Sequence, residues 1–205
     1  VTPSGHPLSD ASLSQLAVPD EEITFAAMVP LQVYNSLQVP EEHERLRRIR
    51  HLIIGGGAID ERLAEALHDF PHAVWSTYGM TETLSHIALR RLNGPDASDW
   101  YRPFDGVKTR LDSDGCLVID APAVCPGTLV TNDRAELRSY GRQDNATASC
   151  FRILGRKDNV IDSGGIKIQI EEVEHRLRPR LTGGFAITSC PDEQFGEAVV
   201  LLTTQ

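Results

Sequence analysis

The chain has 205 residues, of which 40% are hydrophobic and 24% charged, as is usual for a globular protein. This composition provides enough apolar surface for a core, which excludes an intrinsically disordered chain and a collagen-like fibre. Its 29 acidic residues outnumber the 20 basic ones, giving a formal net charge of −9. That balance argues against a general nucleic-acid coat and against binding to an anionic membrane surface.

The sequence has the features of a cytoplasmic protein. No apolar run approaches the roughly 20 residues of a membrane-spanning helix, and the first residues lack the basic-then-apolar pattern of a secretory signal. The four cysteines lie far apart without a C-x-x-C pair, so we expect free thiols, with disulfides as the alternative. The seven histidines show no metal-ligand spacing, so a metal site built from protein side chains alone is not expected.

The first half of the chain predicts a parallel α/β sheet. Residues 1–19 show no sustained period and predict a loop or the tail of a longer protein, whereas residues 23–31 are apolar and predicted to be buried. A helix follows whose arginines predict a solvated face rather than a phosphate-binding patch. Next come a strand at residues 51–54, a helix capped by Asp60 and a strand at residues 73–77. In such a sheet, ligands are expected beyond the carboxyl ends of the strands.

From about residue 100 the sequence predicts antiparallel structure. Short alternating runs separated by turn residues lie at residues 107–111, 116–119, 128–131 and 150–154. After residue 155 we predict a glycine turn between two strands, a helix at residues 171–177 and a buried closing strand at residues 198–202. The predicted fold class is therefore α/β: a parallel α/β sheet portion, an attached antiparallel β region and a small, truncated α+β domain at the C-terminus.

The most specific candidate site is the loop formed by Tyr78, Gly79, Met80, Thr81 and Glu82. An aromatic ring at a strand end offers a face on which a purine can stack. A threonine hydroxyl can donate to a phosphate oxygen, and a carboxylate can hold Mg²⁺ together with water ligands. By composition alone, a nucleotide-binding loop and an ordinary polar loop explain these residues equally well.

Two further segments are weaker candidates by themselves. The glycines at positions 55, 56 and 57 follow a strand and would let a flat ligand approach the backbone, but a plain tight turn explains them better. Neither the Rossmann fingerprint nor the phosphate-loop pattern is met. Arg156 could bind a ribose or a phosphate through its forked guanidinium, although a charged turn followed by a hairpin explains residues 155–168 better in isolation.

Together and in this order, the three segments resemble the adenylate-forming enzymes, a family of acyl-CoA synthetases, luciferases and adenylation domains of peptide synthetases. The matches are residues 78–82 to the Y-G-x-T-E motif, residues 155–158 and 164–168 to the G-R-x-D…G-x-[KR]-I segment, and residues 171–174 to the E-x-E helix. Residues 131–133 stand where the family has T-G-D, with Asn132 replacing the glycine. The resemblance covers residues 23–205.

Within this family, two wider stretches are similar to the o-succinylbenzoate–CoA ligases of menaquinone biosynthesis. They are residues 76–88 and residues 158–165. The resemblance implies an ATP-dependent acid–CoA ligase that forms an acyl-adenylate, with ATP, Mg²⁺ and CoA as cofactor and co-substrates. The alternatives are an adenylation domain that loads a carrier protein and a non-catalytic nucleotide-binding module.

The resemblance also implies roles for individual residues. Gly55, Gly56, Gly57 and Ala58 would line the adenine site and Tyr78 would stack on the ring, and Gly79 and Met80 would also bind the cofactor. The catalytic pair would be Thr81, which holds the α-phosphate, and Glu82, which holds the Mg²⁺. His86 is a candidate for the acid, whereas Arg90 and Arg91 either meet a carboxylate or are solvated.

The second half would complete the site. Asp133 and Arg156 would bind the ribose. Asp158 would be the hinge between the large and small domains, and Gly164 and Gly165 would border the pantetheine channel.

The resemblance further implies how the chain is organised. Residues 1–157 would be part of the large AMP-binding domain, and residues 158–205 the start of the small mobile domain. The family's upstream phosphate loop and its C-terminal lysine have no counterpart in the sequence. We therefore expect a central and C-terminal fragment of a longer ligase, inactive by itself. Nucleic-acid partners are not expected, and the sequence leaves a homo-oligomer open.

Overall fold

The computed structural model describes residues 23–141 and 147–204, which form two compact units. The first unit contains the described residues up to Val107 and the segment Ala121–Gly127. The second contains Lys108–Asp120 and the described residues from Thr128 onward. The predicted loop at residues 1–19 lies outside the described residues.

The first unit is built on a mixed five-stranded sheet. In spatial order its strands are β1 (Phe25–Met28), β2 (His51–Ile54), β3 (Ala73–Gly79), β4 (His86–Arg91) and β5 (Arg102–Pro103). Strands β1, β2 and β3 pair in parallel, whereas β4 and β5 are added antiparallel. The helices are α1 (Pro30–Leu37), α2 (Pro40–Arg48) and α3 (Glu61–His68), and a single helical turn, Thr81–Thr83, follows β3. The predicted parallel α/β portion is confirmed.

Apolar side chains from the helices pack on the parallel strands to form the core of this unit. Asp60 begins α3 as predicted, because its Oδ1 accepts a hydrogen bond from Leu63 N at 2.8 Å. The helix thereby presents the buried Leu63 and Leu67 on one side. The core cluster consists of Val33, Leu46, Ile49, Leu52, Ile54, Leu63, Leu67, Phe70, Val74 and Leu92.

The prediction that residues 23–31 are buried throughout is wrong. Ile23, Ala26 and Met28 pack against the core, but Phe25 is 58% exposed and Leu31 is 49% exposed. The reason is that β1 is an edge strand whose side chains alternate between two faces, and the described residues cover only one of those faces. The chain then enters α1 at Pro30, a helix that the apolar run does not predict.

The second unit contains two antiparallel sheets of four strands each. The first has the order β6 (Lys108–Leu111), β7 (Cys116–Asp120), β8 (Leu129–Gly141) and β9 (Thr147–Arg156). The second has the order β11 (Ile166–Gln169), β10 (Val160–Ser163), β13 (Gly196–Thr203) and β12 (Phe185–Asp192). Helix α4 (Ile170–Leu177) and a helical turn (Arg178–Arg180) lie between β11 and β12 in sequence. The predicted fold class, with an antiparallel region and a small α+β part after the parallel sheet, is confirmed.

Two details of the second unit differ from the prediction. Strands β8 and β9 are much longer than the predicted runs, because their polar residues stay in the antiparallel ladder. The closing strand β13 is not buried as predicted, since Leu201 is 44% and Leu202 is 54% exposed. Its sheet is covered only in part by the described residues. The predicted domain boundary between residues 157 and 158 stays a prediction.

A buried asparagine ties β4 back to the start of β3. Asn93 is 1% exposed, and its Oδ1 accepts hydrogen bonds from Val74 N at 3.0 Å and from Arg91 Nε at 2.8 Å. Its Nδ2 donates to Phe70 O at 2.8 Å and to His72 O at 2.7 Å. The single amide of Asn93 therefore forms hydrogen bonds with backbone groups just before and just after the start of β3.

We expect the substitution Asn93→Ala to lower the free energy of unfolding by about 3 kcal/mol, because it leaves buried polar groups without hydrogen-bond partners. Urea denaturation of the chain measures this change. The control is Asn35→Ala on α1, where no comparable network of hydrogen bonds is lost. Equal unfolding midpoints for the two variants would contradict the prediction.

Candidate functional site

The loop after β3 turns the chain back sharply into β4. A Cβ atom on Gly79 would lie 2.1 Å from Ser85 O and 2.5 Å from His86 Cα. Only glycine permits the returning backbone to pass this close. The pairing register shifts between Tyr78 and Gly79, a bulge that redirects the end of the strand.

The buried hydroxyl of Thr83 holds this loop together. Its Oγ1 accepts a hydrogen bond from Met80 N at 3.0 Å and lies within donating distance of Met80 O at 3.0 Å and Ser85 O at 2.7 Å. A hydroxyl carries one proton, so it donates to these two carbonyls alternately. Sequence reasoning missed Thr83; the available signal was a polar residue in the third position of a helical turn, where its side chain can reach back to the cap.

The side chains of Thr81 and Glu82 are exposed on the outer side of this turn. Neither makes a hydrogen bond with the described part of the chain, so both are available to a ligand. Leu84 follows with a φ of 61° and is 78% exposed. This left-handed conformation costs a residue with a side chain about 1 kcal/mol, and such strain is concentrated at binding loops.

The glycine loop after β2 leaves the same edge of the sheet. A Cβ atom on Gly55 would lie 2.2 Å from Thr77 Oγ1, so the missing side chain lets β2 end against its neighbour. Gly56, Gly57 and Ala58 follow and are exposed. Because β2 and β3 are adjacent and parallel, the structure brings the predicted adenine-binding loops to neighbouring strand ends.

Tyr101 supports the ring of Tyr78, which sequence reasoning did not foresee. The two ring centroids are 5.7 Å apart with the planes tilted by 56°. The hydroxyl of Tyr101 forms a hydrogen bond of 2.7 Å with Ser76 Oγ, and the guanidinium of Arg90 lies 5.2 Å from the centre of its ring. Tyr78 is thus placed at the strand end by a packed aromatic neighbour.

The three candidates for acid binding lie on β4. His86 pairs with Gly79 in the sheet, packs edge-on against Phe104 at 5.5 Å and forms a hydrogen bond of 3.0 Å from Nδ1 to Ser85 Oγ. Arg90 donates to Asp99 Oδ1 at 3.0 Å, whereas the guanidinium of Arg91 lies 5.1 Å from the centre of the Trp75 ring. Both arginines therefore have partners within their own unit.

In the second unit, the structure brings together three of the predicted site residues. Asp133 on β8 and Arg156 on β9 are directly paired in the sheet, and Arg156 Nη1 donates to Asp133 Oδ1 at 3.5 Å. The same guanidinium donates to both carboxylate oxygens of Asp158, at 2.8 Å from Nε and 2.6 Å from Nη2. This bidentate pair, with its hydrogen bonds from Arg156, lowers the pKa of Asp158 below its ordinary value.

Gly164 and Gly165 form the two-residue turn between β10 and β11. Their φ angles are 60° and 83°, as a type I′ hairpin turn requires at both central positions. Gly164 N also donates to Phe195 O at 2.8 Å. The turn geometry by itself requires both glycines, so their role beside a pantetheine channel stays a prediction.

Other polar groups in the described ranges add no protein-built metal centre. Within residues 23–141 and 147–204, no three His, Cys, Asp or Glu side chains are placed to hold a metal ion. The four cysteines are free thiols. No helix of the described chain is long and apolar enough to cross a membrane.

A mixed sheet whose parallel strands end in glycine-containing loops, followed in sequence by antiparallel sheets, resembles the fold of the adenylate-forming enzymes. The chain belongs to the AMP-binding enzyme family, whose sequence pattern matches residues 1–132.

Similar proteins include two curated relatives and one solved structure. The chain is 28% identical over 196 residues to the 2-succinylbenzoate–CoA ligase of Salmonella typhimurium, a match that covers 86% of the chain and 39% of that enzyme. It is 26% identical over 225 residues to a plipastatin synthase polypeptide of Bacillus subtilis, a match that covers 93% of the chain and 9% of that protein.

The solved structure is an acyl-CoA synthetase (AMP-forming)/AMP-acid ligase II-like protein from Dyadobacter fermentans. It has 34% sequence identity and a TM-score of 0.60, and the match covers 91% of the chain and 52% of that protein. The chain thus spans about half or less of each of these proteins.

The ion pair of Arg156 gives a prediction about pH. We expect Arg156→Gln to raise the pKa of Asp158 towards the ordinary aspartate value, because the lost hydrogen bonds are the main cause of its lowering. A carboxylate with a lowered pKa stabilises the fold at neutral pH, and this contribution disappears as the pH falls through that pKa. The measurement is a carboxyl ¹³C NMR titration of Asp158.

The matched control is Arg152→Gln. Arg152 lies on β9 like Arg156, and its substitution removes an ion pair with Glu136. It should leave the titration of Asp158 unchanged. An unchanged pKa of Asp158 in the Arg156 variant would show that the bidentate pair does not form in solution.

Proposed function

We propose that the chain forms part of an ATP-dependent acid–CoA ligase that works through an acyl-adenylate, with o-succinylbenzoate as the acid. The observation that carries the proposal is the loop at the end of β3, which presents Thr81 and Glu82 outward while Thr83 fixes its backbone. Membership of the AMP-binding enzyme family supports the nucleotide. Similarity to a 2-succinylbenzoate–CoA ligase supports the acid.

The first unit would hold the adenine and the phosphates. Residues 55–58 would lie along the flat base, on which Tyr78 stacks, and Gly79 and Met80 would offer backbone groups to it. Thr81 would donate to the α-phosphate. The carboxylate of Glu82 suits Mg²⁺, which is commonly held by one or two carboxylates together with substrate phosphates.

Residues further along the chain would bind the ribose and the CoA arm. Asp133, whose side chain is 15% exposed, would accept from the ribose hydroxyls, and Arg156 would donate to the same sugar. In the proposal, Asp158 is the hinge and the turn at Gly164 and Gly165 borders the pantetheine. The boundary between residues 157 and 158 belongs to this proposal.

The chemistry requires positioning and charge neutralisation rather than a nucleophile from the protein. The carboxylate of the acid attacks the α-phosphorus of ATP, a new P–O bond forms, and pyrophosphate leaves. The thiolate of CoA then attacks the acyl carbon, and AMP leaves with the electrons of the broken C–O bond. The bound Mg²⁺ would neutralise phosphate charge, while Thr81 and Arg156 would orient the nucleotide.

A second candidate is an adenylation domain that loads a carrier protein. The specific observation in its favour is the similarity to the plipastatin synthase polypeptide over 93% of the chain. The two functions differ in the acceptor of the acyl group. Acyl transfer by the native protein to free CoA, in the absence of any carrier protein, would favour the ligase.

We expect the native protein that contains this chain to exchange pyrophosphate into ATP when o-succinylbenzoate is supplied. Acetate and long-chain fatty acids should give little exchange, because neither carries the aromatic ring with a second carboxylate. An ATP–pyrophosphate exchange assay with these three acids tests the assignment. Comparable exchange with acetate and none with o-succinylbenzoate would remove this acid from the proposal.

We further expect Glu82→Gln to slow adenylation by tenfold or more, since each factor of ten corresponds to about 1.4 kcal/mol of lost transition-state stabilisation. The free energy of unfolding should change little, because the Glu82 side chain is exposed. The control is Glu65→Gln, an exposed glutamate on α3 away from the loop. If both variants kept the wild-type exchange rate, Glu82 would have no part in the reaction.

A further inference from the structure

The turn that carries Arg156 and Asp158 is fastened at both ends to the beginning of α4. Glu171 Oε1 accepts hydrogen bonds from Asn159 Nδ2 at 2.8 Å and from Arg156 N at 3.4 Å. Ile170 N donates to Asn159 O at 3.2 Å. The start of the helix is therefore bonded to the first and the last residue of this turn.

Gln169 completes these attachments from the end of β11. Its Nε2 lies within donating distance of Arg156 O at 2.8 Å, Asn159 O at 3.3 Å and Glu171 Oε2 at 2.6 Å, so two of these acceptors share one of its two protons. Its Oε1 accepts from Arg134 Nη1 at 3.4 Å. The backbone N–H and C=O of Arg156 are thus bonded to the side chains of two residues that lie next to each other in the fold.

The missing side chain of Gly155 leaves room for Glu171 to lie against the segment that carries Arg156. A Cβ atom on Gly155 would lie 2.8 Å from Glu171 Oε2 and 2.9 Å from its Cδ. The carboxylate therefore occupies the volume beside the backbone of residue 155 that any side chain would need.

The guanidinium of Arg156 gains its order from this backbone. The side chains of Arg156 and Asp158 are each 50% exposed, and an exposed ion pair on a mobile backbone contributes little because both side chains lose conformational freedom. A backbone fixed on both sides of Arg156 removes part of that cost before the pair forms. The bidentate geometry to Asp158 and the contact with Asp133 fit such an arrangement.

We infer that Glu171 is a positioning residue that holds Arg156 in place to bind the nucleotide through its guanidinium. It acts through the backbone of residues 156–159 and touches no ligand itself. The assignment of a nucleotide to Arg156 rests on the proposed function, whereas the positioning of Arg156 by Glu171 does not.

The full chain and its variants Glu171→Ala and Glu171→Gln test the inference, with Glu172→Ala as the matched control. Glu172 is the next residue on α4 and pairs with Arg176 instead of the turn. The first readout is the carboxyl ¹³C titration of Asp158, whose carboxylate faces Arg156, Asn132 and its own backbone. The second is the affinity for AMP, measured by calorimetry.

We expect Glu171→Ala to raise the pKa of Asp158 and to weaken AMP binding by about fivefold, as the loss of roughly one net hydrogen bond implies. Glu171→Gln keeps an acceptor for the Arg156 N–H and should lie between the wild type and Glu171→Ala. Since it also keeps the shape of the side chain, it provides the test if Glu171→Ala does not fold. Glu172→Ala should leave both readouts at their wild-type values.

An unchanged titration of Asp158 in folded Glu171 variants overturns the inference, whatever happens to AMP binding. Equal effects of the Glu171 and Glu172 substitutions also overturn it, because they would show a general effect on α4. If the titration moves as expected while the wild-type chain binds no AMP, the positioning role stands and the proposed function fails for this unit.

Discussion

The antiparallel return of the chain in the first unit depends on the close approach of two backbone segments at Gly79. Ser85 O and His86 Cα occupy the volume that a side chain on residue 79 would need. As a result, β3 ends in a bulge and the chain returns antiparallel as β4 instead of crossing over to another parallel strand. The same reversal turns Thr81 and Glu82 outward and leaves Thr83 buried beneath them. The side chains of Thr81 and Glu82 are therefore positioned by the main chain, through the close approach at Gly79 and the hydrogen bonds of the Thr83 hydroxyl.

In the second unit, hydrogen bonds rather than a close backbone contact hold the predicted site residues in position. Here the predicted site residues are held by hydrogen bonds between charged or amide side chains and the backbone of one turn. Arg156 lies between two carboxylates, and the segment that carries it is bonded to the beginning of α4. Such exposed interactions are individually weak, so the order of the turn depends on several of them acting together. A close backbone contact does not depend on pH or salt, whereas these ion pairs do.

Sequence reasoning found the elements whose signals are local. The apolar run of β2, the cap at Asp60 and the alternating strands of the second half all follow from residues within one element. It missed the contacts made between distant parts of the chain, such as the hydrogen bond between Ser76 and Tyr101, which are 25 residues apart, and that between Arg156 and Glu171, which are 15 apart. The apolar segment at residues 23–31 was predicted to be buried throughout because hydrophobicity shows that a strand is apolar and does not show which of its faces another layer covers. Motif matching named candidate site residues, but it did not predict the hydrogen bonds by which Thr83, Gln169 and Glu171 hold the backbone around them.

In the proposed function, recognition of the acid depends on a different kind of residue from binding of the nucleotide. The loops at the ends of β2 and β3 are shaped by glycines and main-chain contacts. Recognition of an acid requires side chains of the right charge and length, because a site discriminates strongly only when its polar groups are left unpaired by the wrong substrate. His86 meets this requirement in part: its pairing with Gly79 places it beside the loop, and Ser85 engages Nδ1. The other ring nitrogen has no hydrogen-bond partner among the described residues, as the proposed contact with a carboxylate would require. In the proposed function, nucleotide binding would depend mainly on backbone geometry at the ends of β2 and β3, whereas acid recognition would depend on a few side chains such as His86.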